Sequence, residues 1–246
     1  MGTPWDAQSY DRTSAPQQAW ASDVLARLEP ISPDATVLDV GCGTGRVTEL
    51  LAEMVPQGRL LAIDASAEMA ELAAKRLEGR VEVRCLDVLE LDLDGVLDAV
   101  VSTATLHWVA DHERMWRALA RALRPGGRLE VQCGGRGNIA RVQEAIEDAA
   151  EDFPELAGFS PWTFAGAEET ERRLAGCGFE QISCWLQERP TLPEDPEAFV
   201  RTSILAAHFA ELDPARREPF ARAVLDRVEL PLDYVRLNVS ARLAGG

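Results

Sequence analysis

The feature that most constrains this chain is a short apolar segment that runs directly into three closely spaced glycines. The segment is 37–40 (VLDV), and Gly41, Gly43 and Gly45 follow it. Apolar residues then recur at helical spacing at Val47, Leu50, Leu51 and Met54. The order of strand, glycine loop and helix exposes backbone N–H groups at the helix start, and the glycines let a ligand approach the backbone closely. The pattern therefore predicts a ligand-binding loop.

The residues around the loop narrow the class of ligand. No lysine follows the loop, which excludes the phosphate-binding loop of nucleoside triphosphatases. The glycine spacing is G-x-G-x-G, whereas nicotinamide-binding folds use G-x-G-x-x-G. Asp39 stands two positions before Gly41, and its carboxylate suits a ligand that carries an ammonium group.

This acidic-x-G-x-G-x-G motif resembles the signature of class I S-adenosylmethionine-dependent methyltransferases. The Leu-Arg-Pro-Gly-Gly turn at 123–127 is a further mark of that family. The resemblance implies that the loop holds the methionine part of S-adenosyl-L-methionine and that S-adenosyl-L-homocysteine is the product. No metal is expected, because the five cysteines are scattered and no histidine accompanies the acidic segment 90–94.

Acidic residues also end the next two predicted strands, 59–64 and 81–88. Asp64 is placed to accept the ribose hydroxyls of an adenosine, although it could instead cap the following helix, for which Ser66 is the better candidate. By the resemblance, Asp87 accepts the adenine amino group, and the alternative is a solvated turn acid. The predicted cofactor-binding set is Tyr10, Gln17, Asp39, Gly41, Cys42, Gly43, Gly45, Asp64, Ala65, Met69, Asp87, Val88 and Thr103.

The succession of strand and helix patterns along the chain predicts an α/β fold. By the resemblance this is a Rossmann-like seven-stranded sheet, mostly parallel with the last strand antiparallel, with helices on both faces and a small helical cap. The strict alternation of residues 233–243 marks the last strand. The expected organisation is an N-terminal helical arm over the cofactor site (1–34), an S-adenosylmethionine-binding core (35–189), a helical cap insertion (190–231) and the final strand of the core (232–246).

Candidate acceptor-binding residues follow the fourth predicted strand, 97–103. His107 and Trp108 emerge at the carboxyl end of that strand, where ligands bind in open parallel sheets. A glycine-rich loop at the same end of the sheet supplies Arg136 and Asn138. The irregular segment 153–163 could lie against the acceptor pocket or over the core.

Two methyltransferase families share further features with this chain. The aromatic arm with Trp5 and Tyr10, the Leu-His-Trp-Val string and the helical insertion resemble trans-aconitate methyltransferases. Tyr10, Ser14, Gln17 and the same string resemble juvenile hormone acid methyltransferases. Both families methylate carboxylates, so the resemblance implies a carboxylate O-methyltransferase. It also implies that Gln17 and the Trp108 indole donate hydrogen bonds to the acceptor carboxylate, with Gln17 also touching the cofactor.

Two other functions stay open on the sequence. A small-molecule hydroxyl or amine methyltransferase would use His107 or His208 as a base, although His208 lies on the apolar stripe of its helix. A non-catalytic S-adenosylmethionine-binding protein would keep the same loop. A polycarboxylate acceptor would need cations, and the candidates are Arg136, Arg201 and Arg236. Because Arg236 shares a strand face with Asn238, we expect it to be solvated.

The charge balance bears on partners and location. Asp and Glu number 41 against 25 Lys and Arg, for a net charge of −16 at pH 7. Such a surface repels nucleic-acid phosphate and anionic membranes. No apolar run approaches the roughly 20 residues that cross a bilayer, and the N-terminus lacks a secretory signal. We therefore expect a cytoplasmic enzyme, a monomer or weak homodimer, that acts on a small-molecule acceptor without nucleic-acid or membrane partners.

Overall fold

The computed structural model describes the backbone of residues 15–245 and the side chains of residues 20–245. The predictions made for Trp5, Tyr10 and Ser14 lie outside these residues, as does the prediction made for the side chain of Gln17.

Seven strands and nine helices make up the described part of the chain. The strands are β1 (Thr36–Val40), β2 (Arg59–Asp64), β3 (Glu82–Cys85), β4 (Leu97–Thr103), β5 (Leu123–Gly134), β6 (Phe179–Glu188) and β7 (Val235–Leu243). The helices are α1 (Ala15–Leu28), α2 (Arg46–Met54), α3 (Ala67–Leu77), α4 (His112–Ala122), α5 (Ala140–Ala150), α6 (Ala167–Gly176), α7 (Pro196–Phe199), α8 (Ala206–Glu211) and α9 (Pro214–Leu225). Short 3₁₀ turns cover Val88–Glu90, Leu106–Trp108 and Pro154–Leu156, and one π turn covers Val200–Ile204.

The strands form one sheet in the order β3-β2-β1-β4-β5-β7-β6. The first five strands of that order pair in parallel, and β7 runs antiparallel to both β5 and β6. The predicted fold, including the antiparallel last strand, is therefore confirmed. Because β1 and β4 are neighbours with their crossovers on opposite sides, their carboxyl ends bound the crevice where such sheets bind ligands.

Two predicted strands differ in length from those observed. The strand predicted at 81–88 ends at Cys85, because the Asp87 carboxylate accepts a hydrogen bond from Leu89 N (2.9 Å) and starts a 3₁₀ turn. On the sequence, residues 128–133 are also expected to form a strand after the Leu-Arg-Pro-Gly-Gly turn. The observed strand begins earlier, at Leu123, which pairs with Leu97 beyond a register shift in β4.

Both faces of the sheet are covered, and a third apolar cluster includes the segment between β6 and β7. Helices α4 and α6 pack on one face through residues such as Trp116 and Leu174, while α1, α2 and α3 cover the other through residues such as Leu28, Leu51 and Leu77. The segment between β6 and β7 packs on α5 in a separate cluster that includes the rings of Phe199 and Phe220. Among the described residues, no helix combines the length and apolar character needed to cross a membrane.

Candidate functional site

The glycine loop turns sharply over the end of β2. The N–H groups of Gly41 and Cys42 both donate to the Ile63 carbonyl, at 2.8 and 3.0 Å. Gly41 has a φ of +72°, and a β-carbon there would lie 2.1 Å from Cγ2 of Thr105. Gly43 has a φ of +54°, but a β-carbon there would meet no atom within 4 Å. The first glycine is thus required by close packing, whereas the second faces open space that a ligand can use.

Asp39 carries a buried carboxylate beneath this loop. It is 1 % exposed, and its Oδ2 accepts a hydrogen bond from the Thr48 hydroxyl at 2.7 Å. Its Oδ1 has no hydrogen-bond partner among the described residues. Burial raises the pKa of Asp39 to about 7. A buried carboxylate oxygen that lacks a partner fits the ammonium group of a bound methionine moiety.

The carboxylate of Asp64 links the loop to the following helix. Its Oδ2 accepts from Gly43 N and its Oδ1 from Ser66 N, both at 2.9 Å. Burial raises its pKa. Each oxygen keeps a second lone pair for an incoming hydroxyl, so the geometry suits the ribose prediction. The prediction that Ser66 caps α3 is confirmed, because its hydroxyl accepts from Met69 N at 3.4 Å.

The residues predicted to surround the adenine lie at the ends of β2 and β3. Met69 and Val88 are buried, whereas Ala65 and Asp87 are exposed. The hydrogen bond from Leu86 N to the Asp64 carbonyl, at 2.9 Å, brings the two strand ends together. Their contacts with a cofactor stay predictions.

Three further residues of the predicted cofactor set are Cys42 and Gly45, which belong to the loop, and Thr103, which ends β4. Cys42 is buried, and β4 pairs with β1, the strand that runs into the loop. A β-carbon at Gly45 would lie 3.2 Å from Cα of Ala73, so this glycine serves the close packing of α2 on α3.

His107 occupies a buried position on the 3₁₀ turn that follows β4. The Gly134 N–H donates a hydrogen bond to its Nδ1 at 3.2 Å. The ring proton therefore resides on Nε2, and the ring presents a donor there. Burial, and secondarily the positive charge of Arg236, hold the pKa of His107 well below its usual value. This histidine is a neutral hydrogen-bond donor.

Aromatic rings from the segment after α5 extend the surface around His107. Phe164 stacks on the His107 ring with centroids 5.6 Å apart, and Trp162 stacks on Phe164 at 5.7 Å. Trp162 also contacts Trp108 at 5.8 Å. Thr163 N donates to the His107 carbonyl at 2.7 Å. We call His107, Trp108, Trp162 and Phe164 the aromatic wall; they place this irregular segment beside the predicted acceptor residues.

The three candidate cations differ in environment. Arg136 is exposed and pairs with Glu169 at 3.2 Å. Arg201 pairs with the exposed carboxylates of Glu197 and Glu218. The carboxylates that these two guanidinium groups bind do not belong to the aromatic wall.

Arg236 is buried, so the expectation that it is solvated is wrong. It is 2 % exposed, and its guanidinium lies over the Trp20 ring, 4.5 Å from the centroid. The reason is that β7 lies inside the sheet, between β5 and β6, and α1 covers that face. Arg236 pairs in register with Gly134, the residue that donates to His107. A buried positive charge therefore lies at the same end of the sheet as the aromatic wall.

Asn138 has structural partners. It is 2 % exposed, and its side-chain oxygen accepts from Val235 N at 3.0 Å. Its backbone carbonyl accepts from the Gln143 amide at 2.9 Å. These bonds join the loop after β5 to the start of β7, and an acceptor contact by Asn138 stays a prediction.

Several residues of this region were missed on the sequence. Thr48 donates a hydrogen bond to Asp39. One feature of the sequence could have revealed it: Thr48 is a polar residue on the buried face of α2, one turn before Leu51. Trp162 lies in the segment 153–163, for which the sequence left open the acceptor pocket or the core, and Thr105 lies two positions before His107. The contact of Thr105 with Gly41 and the ring contacts of Trp162 and Phe164 have no local signal, because only the packing of distant segments creates them.

Comparisons with known proteins agree on the class. A family model described as a methyltransferase domain matches residues 37–127. The chain is 32 % identical over 183 residues to a trans-aconitate 2-methyltransferase of Methylobacterium nodulans, covering 74 % of this chain and 67 % of that protein. It is 29 % identical over 188 residues to a malonyl-[acyl-carrier protein] O-methyltransferase of Priestia megaterium, covering 75 % and 67 %. Such matches span half to two thirds of the relatives' own lengths.

The fold also matches a solved structure of Haemonchus contortus phosphoethanolamine N-methyltransferase 2 in complex with S-adenosyl-L-methionine. The TM-score is 0.66 at 17 % identity, covering 98 % of this chain and 57 % of that one. At this identity the likeness concerns the fold.

Proposed function

Because this chain belongs to the class I S-adenosylmethionine-dependent methyltransferases, we propose that it methylates a carboxylate of a small molecule and forms a methyl ester. The relatives named above include enzymes named for trans-aconitate and for malonyl-[acyl-carrier protein]. The observation that carries the proposal is the hydrogen bond from Gly134 N to His107 Nδ1, which leaves the ring as a donor. A donor beside the buried charge of Arg236 suits an anionic acceptor.

When bound, S-adenosylmethionine supplies an electrophilic methyl group on a positively charged sulfur. The chain's residues then contribute orientation and desolvation, and the need for a base depends on the acceptor. A carboxylic acid with a pKa of about 4 is already ionised at neutral pH, whereas a phenol with a pKa of about 10 has to lose a proton. His107 is poorly suited to take that proton, because burial lowers its pKa and its Nδ1 is occupied.

The residues that would hold the cofactor are those gathered at the carboxyl ends of β1 and β2. Asp39 Oδ1 would accept a hydrogen bond from the ammonium group, and the Asp64 carboxylate would accept hydrogen bonds from the ribose hydroxyls. The space beside Gly43 would receive the ligand against the backbone. At the acceptor, His107 Nε2–H and the Trp108 indole would donate to the carboxylate.

We propose the domain division that the sequence predicts: an N-terminal helical arm over the cofactor site (1–34), an S-adenosylmethionine-binding core (35–189), a helical cap insertion (190–231) and the final strand of the core (232–246). We also propose that the chain is a cytoplasmic enzyme and a monomer or weak homodimer. The net charge of −16 supports the absence of nucleic-acid and anionic-membrane partners. A hydroxyl or amine acceptor and non-catalytic cofactor binding are the competing functions.

Turnover of labelled S-adenosylmethionine with a panel of small acids, phenols and amines tests the proposed function. We expect base-labile methyl esters from one or more acids. Products confined to phenols or amines would overturn the carboxylate assignment. Tight cofactor binding with no product from any acceptor class would favour the non-catalytic function.

Two substitutions at His107 separate a donor from a base. His107→Gln keeps an N–H donor, and we expect it to retain kcat/KM for the preferred acid within about 10-fold. His107→Phe removes the donor and should lower kcat/KM by roughly 10- to 100-fold, since a hydrogen bond to a charged group contributes about 1.5–3 kcal/mol. The affinity for S-adenosylhomocysteine should stay constant in both. Equal inactivity of the two variants, with a bell-shaped pH profile in the wild type, would indicate a base.

The raised pKa of Asp39 predicts a pH-dependent affinity for the cofactor. An ammonium partner favours the ionised carboxylate, so binding releases the Asp39 proton wherever the free protein still holds it, below pH about 7. Affinity for S-adenosylhomocysteine should therefore rise from pH 5.5 toward pH 7, by at most about 10-fold per pH unit, and then level off. Calorimetry in buffers of different ionisation enthalpy counts the released proton.

Asp39→Asn is the matched control, because an amide oxygen can still accept from Thr48. It should weaken binding and abolish proton release. Between pH about 4 and 7 the folded, cofactor-free protein holds a proton on Asp39 that the unfolded chain has lost, so its stability should fall as the pH rises through this range. Asp39→Asn should remove that decline. Unchanged proton release in Asp39→Asn would contradict the assignment.

A further inference from the structure

The second histidine considered as a base lies in the cap inside an aromatic cage. His208 is on α8 and is 1 % exposed. Phe159 meets its ring edge-on with centroids 5.2 Å apart, Trp162 lies at 5.3 Å and Phe220 at 6.0 Å. We call Phe159, Trp162 and Phe220 the aromatic cage.

Neither ring nitrogen of His208 forms a hydrogen bond within the described residues. Burial lowers the pKa of His208 to about 4, an effect that the Ile204 carbonyl partly offsets without reaching hydrogen-bonding geometry. The ring is therefore neutral at physiological pH and has one donor and one acceptor without partners. Since a buried polar group without a partner lowers the stability of the fold, an apolar side chain would pack here at less cost.

Trp162 connects the cage to the aromatic wall. The same indole contacts His208 on one side and Trp108 and Phe164 on the other. Phe159, Trp162 and Phe164 are half-buried and belong to a segment without regular secondary structure. Side chains of this kind commonly change rotamer when a ligand binds. A shift of the Phe159 or Trp162 ring would open a path, lined by aromatic surface, from the wall to the His208 nitrogens.

We propose that His208 forms the far end of the acceptor site, where it hydrogen-bonds an oxygen function at the end of the acid opposite the methylated carboxylate. This inference rests on the proposed function, because the wall defines the reacting end. The acceptor class is an acid with an apolar body that ends in a hydroxyl, carbonyl or second carboxyl group. The apolar body matches the rings between the two ends, and the terminal oxygen satisfies the imidazole.

Histidine-ring NMR tests contact without any need for turnover. The chain has three histidines, so ¹⁵N-histidine labelling gives signals from three imidazole rings. The signal that disappears in His208→Phe is that of His208. Hexanoate and 6-hydroxyhexanoate form a matched pair of probes, each added with S-adenosylhomocysteine. We expect both to shift His107, and only the hydroxy acid to shift His208. No His208 shift with the hydroxy acid, or equal shifts with both acids, overturns the proposal.

Competition kinetics provide the second readout. The ratio of kcat/KM for 6-hydroxyhexanoate over hexanoate should fall about 10-fold or more in His208→Phe. His208→Gln, which keeps a donor and an acceptor, should restore part of the ratio. The cap control Arg222→Ala, at an exposed ion pair with Glu218, should leave it unchanged. A constant ratio in His208→Phe overturns the proposal.

The two proposals fail in different ways. If the wild type makes no ester from any acid, the carboxylate function fails, whatever His208 does in the NMR experiment. If esters form but His208 neither shifts nor changes the ratio, only the far-end assignment fails. An increase in Tm for His208→Phe, with the ratio lost, would show that the imidazole is kept for recognition at a cost in stability.

Discussion

Gly41→Ala is expected to destabilise the folded protein by about 2–5 kcal/mol and to abolish measurable cofactor binding. A non-glycine residue in the left-handed region costs about 1–2 kcal/mol, and an overpacked contact adds about 1–3 kcal/mol. The new β-carbon would lie 2.1 Å from Thr105 Cγ2, so one of the two segments has to move. Thr105 directly precedes the 3₁₀ turn that carries His107 and Trp108, and the shift would reach both ligand sites.

Two further variants separate strain from crowding. Gly41→Ala combined with Thr105→Ala removes the colliding methyl and hydroxyl but keeps the Thr105 β-carbon, which would lie 2.5 Å from the new one. It should therefore recover only part of the about 1–3 kcal/mol of crowding, while the backbone strain persists. Gly43→Ala has no atom to meet, so it should cost only about 1–2 kcal/mol of stability. It should nonetheless weaken S-adenosylhomocysteine binding about 10-fold or more, because its β-carbon enters the ligand's space.

Denaturant unfolding and calorimetry with S-adenosylhomocysteine measure both quantities. The two variants should differ in pattern: Gly41→Ala loses stability and cofactor binding together, whereas Gly43→Ala loses mainly cofactor binding. If Gly43→Ala binds S-adenosylhomocysteine with wild-type affinity, the cofactor does not lie against the loop at Gly43.

The contrast between these two glycines shows what a sequence can and cannot reveal. Spacing alone places both in a ligand loop, and it also gives the strands β2 and β4 at their observed bounds, because buried runs bounded by turn residues are local signals. Spacing cannot separate a glycine required by Thr105 from one that faces open space. That difference depends on a contact between residues 64 positions apart.

Arg236 fails as a sequence prediction for a related reason. Alternation on a strand reports two faces, but it does not say which of them is covered. The strand β7 inserts between β5 and β6, and α1, from the start of the chain, covers the face that carries Arg236 and Asn238. Polar and charged residues on that face are therefore buried. The predicted alternation is correct, but the expectation that this face is exposed to solvent is wrong.

Arg236→Met is expected to lower kcat/KM for the preferred acid by roughly 30- to 5,000-fold, because loss of a buried charge that faces an anion costs about 2–5 kcal/mol. Methionine keeps an apolar stem against the Trp20 ring, and the loss of this cation–π contact contributes about 1 kcal/mol to the expected fall in stability. Arg236→Lys should fall between the two, since an ammonium keeps the charge but not the planar fork. Arg117→Ala, at an exposed ion pair with Glu113, is the control and should stay within about 3-fold of wild type.

A second readout distinguishes recognition from a structural role. Besides burial, the charge of Arg236 lowers the pKa of His107, so Arg236→Met should raise that pKa in an NMR titration, while Arg117→Ala should leave it in place. An acid-specific loss of kcat/KM together with a raised His107 pKa would mean that one buried charge serves twice: it attracts the carboxylate and keeps the neighbouring imidazole neutral, as a donor. An equal loss on every acceptor with a large fall in Tm would instead assign Arg236 to the packing of α1 on the sheet. In that case the donor at His107 Nε2, fixed by Gly134, would have to account for acid recognition without the guanidinium.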